Sequence, residues 1–229
     1  GCGLAVRHNR RAFTTAWRYH LFSIIQAAGW PIWPLIACSI LALALVIERF
    51  ITLKTARIAP PKLLDEVLGV SRTSVPAPDV VTQLEQNSAL GEVLASGFRA
   101  LNSNPNCSED ELRSTMEGAG RVVARRLERY LSALATIASA APLMGLFGTV
   151  VGMIEIFGSQ APTGGSTGGN PAQLAHGISI ALYNTAFGLI IAIPALIFWR
   201  YFRAQVDGYV LTLELASERL AHHLTSLRK

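Results

Sequence analysis

Residues 177–199, GISIALYNTAFGLIIAIPALIFW, contain no charged side chain, and Arg200 and Arg203 close the stretch. A helix needs about 20 apolar residues to cross the hydrocarbon of a bilayer, so this segment is long enough to span. Two further stretches behave alike. Residues 131–154 are free of charge up to Glu155. No charge falls between His20 and Glu48, where Trp30 and Trp33 mark one interface and Glu48-Arg49 the other. The chain is therefore expected to be an all-α integral membrane protein with three transmembrane helices, over 21–48, 131–157 and 172–203.

Composition agrees. Of 229 residues, 51% are hydrophobic and 15% charged, against about 25% charged in a soluble domain. The deficit is confined to those stretches. The net charge of +5 comes from basic residues crowding the ends of apolar segments, which points to orientation in a bilayer rather than to nucleic acid. The aromatics among them, Tyr130 and Tyr201, sit at expected interfaces and form no base-stacking surface. Cys2, Cys38 and Cys107 are odd in number and far apart, with neither disulfide nor metal spacing. His222 and His223 are adjacent, so on a helix they diverge by about 100° and make a poor ligand pair. No nucleophile, base or metal constellation suggests an enzyme, and no cofactor is expected. The basic arm 1–20 followed by an apolar run is read as leading into an uncleaved first span rather than a signal peptide.

Between spans one and two, residues 49–130 form a hydrophilic helical region with turns at Pro60-Pro61 and Pro76–Pro78. Helical patterns lie around 62–68 and 79–101, and Asn102–Asn106 reads as a loop. Ser108 with Glu111 is a capping box. From Glu109 no firm stop precedes Phe157, so span two should extend far into water as a helix roughly 70 Å long, kinked at Pro142. Span three should start at an Asn170-Pro171 cap and continue as a helix over 204–229. There Val206, Val210, Leu213, Ser217, Leu220, Leu224 and Leu227 make a heptad seam. Spacing leaves open whether that seam packs on the same chain or on a neighbouring copy.

The glycine-rich link 158–171 lacks lysine and arginine. Arg121, Arg125, Arg126 and Arg129, with Arg200 and Arg203, guard the other ends of spans two and three. The positive-inside rule puts the link outside, the long helices in the cytoplasm and, with three spans, the N-terminus outside. The basic N-terminal arm signals the opposite for span one, and the asymmetry of two spans outweighs it.

Span two carries Gly145, Gly148 and Gly152 on one face, and span three repeats small residues at Gly177, Ala181, Asn184 or Thr185, Gly188 and Ala192. Small faces let helix backbones approach closely in lipid, on each other or on copies from neighbouring subunits. Polar side chains in the spans are few: Ser139, Thr149, Tyr183, Asn184 and Thr185. A lone threonine can satisfy itself on its own helix; together with Asn184, the two threonines suggest a wet or protein-facing surface. No acid sits at mid-membrane, and Glu155 lies near the outer end of span two. A proton relay ordinarily needs a titratable group there, so a carboxylate would have to come from a partner.

The segments APLMGLFGTVVGMIEIF (141–157) and GISIALYNTAFGLIIAIPALIFWRYF (177–202), with VIERF at 46–50, resemble the MotA/TolQ/ExbB proton-channel family, nearest its ExbB-like branch. The resemblance implies three spans with the N-terminus periplasmic and the C-terminus cytoplasmic, in a bacterial inner membrane. It implies a homopentamer around helices of an ExbD-like single-span partner whose aspartate carries the proton, with Thr149 and Thr185 lining the pore. Asn184, Tyr183, Glu155, Gly145, Gly148, Gly152 and Pro142 are further candidates for pore or helix packing. It also implies coupling to a TonB-like protein that energises outer-membrane transport. One departure is Ile180, where the family's well-known members carry a glutamate. A TolQ-like or MotA-like stator and a non-conducting membrane scaffold remain the alternatives; the four-span flagellar type fits less well.

Overall fold

A computed structural model describes residues 29–72, 76–159 and 171–226. All regular structure among them is helical. The helices are α1 (Ile32–Thr52), α2 (Thr55–Ile58), α3 (Leu63–Ser71), α4 (Pro78–Asn87), α5 (Ala89–Ser103), α6 (Glu109–Glu128), α7 (Leu131–Ser159) and α8 (Pro171–Ser226). Three helical stretches are long and apolar enough to cross a membrane: α1, α6 with α7, and α8. The chain is an all-α integral membrane protein in which two of the spans continue as long helices beyond the bilayer. The first span's helix begins at Ile32, after Gly29 at φ 74. The arm 1–20, residues 21–28, most of the glycine-rich link, Asn170 and Leu227 lie outside the described residues.

The described residues form two compact units. The membrane unit comprises those of 1–44 and 135–196, and the second unit those of 45–134 and 197–229.

In the membrane unit, glycines bring α7 and α8 together. A Cβ on Gly145 would stand 2.7 Å from the Asn184 carbonyl oxygen, and one on Gly188 2.6 Å from the Ala141 carbonyl oxygen. At Gly148 it would meet Asn184 Cβ at 2.8 Å, and at Gly152 Ala181 Cβ at 3.2 Å. The two small-residue faces thus pack on each other within one chain. Pro142 lies inside α7, which continues through it.

The second unit follows the rules of a water-soluble bundle. Leu94, Phe98, Met116 and Val123 are fully buried where α5 and α6 pack. The expected helix over 79–101 is broken at Ser88, whose extended backbone ends α4 and whose hydroxyl accepts from the Gly91 amide at 3.0 Å to start α5. The Ser108–Glu111 capping box is formed, with both bonds present, and such a cap contributes about 1 kcal/mol. The heptad residues Val206, Leu213, Ser217, Leu220 and Leu224 are buried within this unit, so the seam is satisfied inside the chain.

The helix expected from Glu109 does run on as one 50-residue stretch to Gly158; only its hydrogen-bond ladder lapses, at Arg129-Tyr130, where Arg129 keeps helical dihedrals. Arg49, 2% exposed, reaches this joint. Its Nη1 donates to the Leu127 carbonyl at 2.8 Å, while Nε and Nη2 hold Glu48 at 2.6 and 3.1 Å. Its guanidinium also lies 4.9 Å from the Tyr130 ring centroid. The last carbonyls of a helix have no partner within it, and a cation at a helix C-terminus is worth about 0.3–1 kcal/mol, more when partly buried. Tyr209 secures the end of α1 in a similar way, donating to the Leu53 carbonyl at 3.1 Å with Thr55 Oγ1 at 2.9 Å.

The glycine contacts predict opposite outcomes for alanine substitution. Gly145→Ala and Gly188→Ala press a methyl into backbone and should destabilise by about 1–3 kcal/mol. Gly118, inside α6, has open space around it, so Gly118→Ala should stabilise by about 0.4–1 kcal/mol. Unfolding of the purified chain in detergent measures both.

Candidate functional site: the threonine flank of the membrane hairpin

Contacts across the seam fix its register. Ala141 meets Gly188, Gly145 meets Asn184 through Gly188, Gly148 meets Asn184, Gly152 meets Ala181, and Ile156 meets Gly177. The residue numbers rise on one helix as they fall on the other, so α7 and the first half of α8 are antiparallel.

Register and helical phase then place the threonines. Thr149 follows Gly148 and Thr185 follows Asn184, and each step turns about 100° around its helix. On antiparallel right-handed helices, advancing one residue on either turns toward the same side. Thr149 and Thr185 therefore share one level and one flank of the hairpin. Both are half-buried.

Residues that precede a contact residue turn to the other flank, where α1 packs. Met144 precedes Gly145 and Phe187 precedes Gly188. Both join the cluster of Leu35, Ala141 and Ala192, with Ile191 alongside. Cys38 Sγ lies 4.0 Å from Met144 Sδ, in keeping with a packed thiol. The threonine flank is thus the side of the hairpin that α1 leaves uncovered.

The remaining candidates separate by the same rule. Pro142 follows Ala141 and falls on the threonine flank. Gly145, Gly148 and Gly152 are the seam itself. Asn184 is 2% exposed, with its Cβ against Gly148, so it belongs to the seam rather than to a surface. Glu155 precedes Ile156 and Tyr183 precedes Asn184; both turn away from the threonines and are exposed.

Local bonds define what the flank can do. Thr149 Oγ1 donates to the Leu146 carbonyl at 2.7 Å, and Ser139 Oγ to the Ala135 carbonyl at 2.9 Å. A hydroxyl that donates to its own helix keeps its lone pairs as acceptors. An apolar hollow of about 570 Å³ adjoins Thr149, lined by Val150, Met153, Ile154, Phe157 and Gly158. Among the described residues of the membrane unit there is no lysine or arginine, and Glu155 is the one carboxylate.

Arg49 is the residue whose importance sequence reading missed. VIERF carried a family resemblance, but a basic residue at a span's end reads as an orientation signal. Its burial depends on the distant Leu127 and Tyr130.

Comparison with known proteins follows the same segments. The model of the MotA/TolQ/ExbB proton channel family matches residues 85–215. An ExbB-like protein of Synechocystis is 32% identical over 171 residues, covering 75% of this chain and 79% of its own. The biopolymer transport protein exbB1 of Vibrio cholerae is 33% identical over 172 residues, covering 74% and 73%. The Tol-Pal system protein TolQ of Pseudomonas aeruginosa is 35% identical over 130 residues, covering 54% and 55%. With α7 and the membrane part of α8 inside the matched region, which covers more than half of the chain, the chain belongs to the MotA/TolQ/ExbB proton channel family.

Proposed function

We propose that this chain is an ExbB-like subunit of an inner-membrane proton channel that turns the proton-motive force into work on outer-membrane transport. It does so as a homopentamer surrounding the helices of an ExbD-like single-span partner, and it acts on a TonB-like protein. The shared level and flank of Thr149 and Thr185, on the side free of α1, is the observation that supports this reading most. Repeated around a ring, that flank forms a band of hydroxyls facing a central helix, with α1 outward toward lipid. The similarity to biopolymer transport proteins and to a Tol-Pal system protein supports the same class.

In this reading the partner brings the carboxylate. A protonated carboxyl donates to the lone pairs of Thr149 while the threonine keeps its bond to Leu146. A carboxylate needs donors, so the hydroxyl rotates from its own helix to meet it. The membrane potential contributes about 2.3 kcal/mol per charge per 100 mV, and repeated protonation and release move the partner. Ile180 does not remove a group from this band. Five residues separate it from Thr185, which puts it about 140° away around α8.

The absent mid-membrane acid favours a second reading, a scaffold that assembles partners and conducts nothing. Proton flux in liposomes separates the two. With an acid-bearing single-span partner, the wild-type chain should conduct, and without it flux should fall to background; equal background flux in both would leave the scaffold. Thr149→Val together with Thr185→Val should lower partner-dependent flux about tenfold or more, the scale of a lost hydrogen bond to a charged group. Unchanged flux would remove the threonines from the pore.

The proposed topology places 158–171 in the periplasm and 49–130 with 204–229 in the cytoplasm. Single cysteines introduced at Gly158 and at Lys62, in a background without native cysteines, should label with an impermeant maleimide from opposite sides of sealed vesicles. Labelling from the same side would reject this arrangement.

A further inference from the structure

We propose that Arg49 is a positioning residue: it holds the joint between α6 and the pore-forming helix α7 in a fixed helical phase. Three observations converge on that joint. Between Glu109 and Ser159 the helical hydrogen-bond ladder lapses only at Arg129-Tyr130, while the backbone stays helical at Arg129. The lapse has neither proline nor glycine to cause it. Arg49, from a separate element, is buried against it with its guanidinium directed to the last turn of α6.

All three guanidinium nitrogens donate. Nη1 takes the Leu127 carbonyl, and the opposite edge is locked by both oxygens of Glu48. Thr52 Oγ1 donates to Glu48 Oε1 at 2.9 Å and steadies that carboxylate. The Tyr130 ring is faced by Arg49 and, at 5.3 Å, by Arg129. Removing the bond to Leu127 leaves a carbonyl without that partner, which weakens the hold on the backbone at the joint. α7 runs on from Leu131 as one helix. The effect on conduction is read separately and rests on the threonine reading above. The effect on the joint does not.

The competing explanation for a basic residue at this place is charge alone, an orientation signal at the membrane edge. Lysine distinguishes them. It keeps the charge but has one compact ammonium, which cannot hold both carboxylate oxygens and the carbonyl in the fork geometry of arginine. The experiment uses the full chain with its single-span partner in lipid, as wild type, Arg49→Lys and Arg49→Ala. Amide hydrogen exchange at residues 130–134, orientation by maleimide labelling, and proton flux are read together.

Arg49→Lys should keep wild-type orientation and wild-type exchange in the α5–α6 core. Exchange at 130–134 should nevertheless accelerate about tenfold or more, on the scale of a lost charge-assisted bond, and flux should fall with it. Arg49→Ala should show the same local loss. If lysine restores both exchange and flux, the charge explanation holds and the proposal is wrong. If exchange at the joint is unchanged in both variants, Arg49 does not hold it, whatever flux does. Accelerated exchange throughout the second unit in both variants would mean a general structural role and would also overturn the proposal. A wild-type chain that conducts nothing would sink the pore reading, while the exchange result would still decide the role of Arg49.

Discussion

Close backbone approach along the α7–α8 seam is the constraint on which the membrane unit depends. Lipid tails are as apolar as leucine, so no hydrophobic force gathers helices there, and association relies on packing and close approach. Glycine at 145, 148 and 188 permits contacts that a single methyl would obstruct. The observed contacts fix one register, and a slip of one helical turn would separate Thr149 and Thr185 by about 5.4 Å along the axis. The seam therefore determines which residues share a level, and its phase determines which flank they occupy. The flank beside Met144 and Phe187 is taken by Leu35 and Cys38 of α1, which leaves the threonines on the open side.

Helix α8 obeys two packing rules in turn. Through the membrane unit its contacts are small: Ala181, Gly188, Ala192 and Ala195 are buried while Leu189, Ile190 and Ile193 are exposed. Beyond that unit the pattern inverts. Phe202, Val206, Leu213 and Leu220 are buried, as water demands of large apolar groups. Phe50, Phe198, Tyr201 and Phe202 form an aromatic cluster at the change, with Phe50 edge-on to Phe202 at 5.0 Å. One helix can serve both environments because each half is patterned for its own solvent.

That patterning explains what could be read in advance. Charge-free stretches reveal spans because a charge in hydrocarbon is costly. The Ser108–Glu111 box is local, and its residues state its geometry. The heptad positions of α8 revealed a seam, but the partner that fills a seam is not a property of one helix, so only the fold showed that it closes within the chain. The lapse in hydrogen bonding at Arg129-Tyr130, within a helix that runs on as expected, left no trace in the sequence for the same reason. Its neighbours are good helix formers, and the joint is held from outside by Arg49, far away in sequence. The flank assignment was equally hidden. Thr149, Asn184 and Thr185 looked alike as polar residues in apolar helices. Only the register turned Asn184 into the seam and the threonines onto its edge.

The chain's lack of a mid-membrane acid follows from the same packing. A carboxylate built into the hairpin would have no lysine or arginine to pair with, since the described residues of the membrane unit contain neither. Fixed in place, it would bear the cost of a buried charge throughout the cycle. On the proposed reading the carboxyl is carried on a separate helix, neutral when it faces apolar surface and ionised when it meets hydroxyls or water. Two threonines suit that division. They are cheap to bury, because each can use its own helix as partner, and they can exchange that bond for one to a ligand without changing charge. On the proposed reading, the chain supplies a rigid, uncharged track, and the titrating group moves along it.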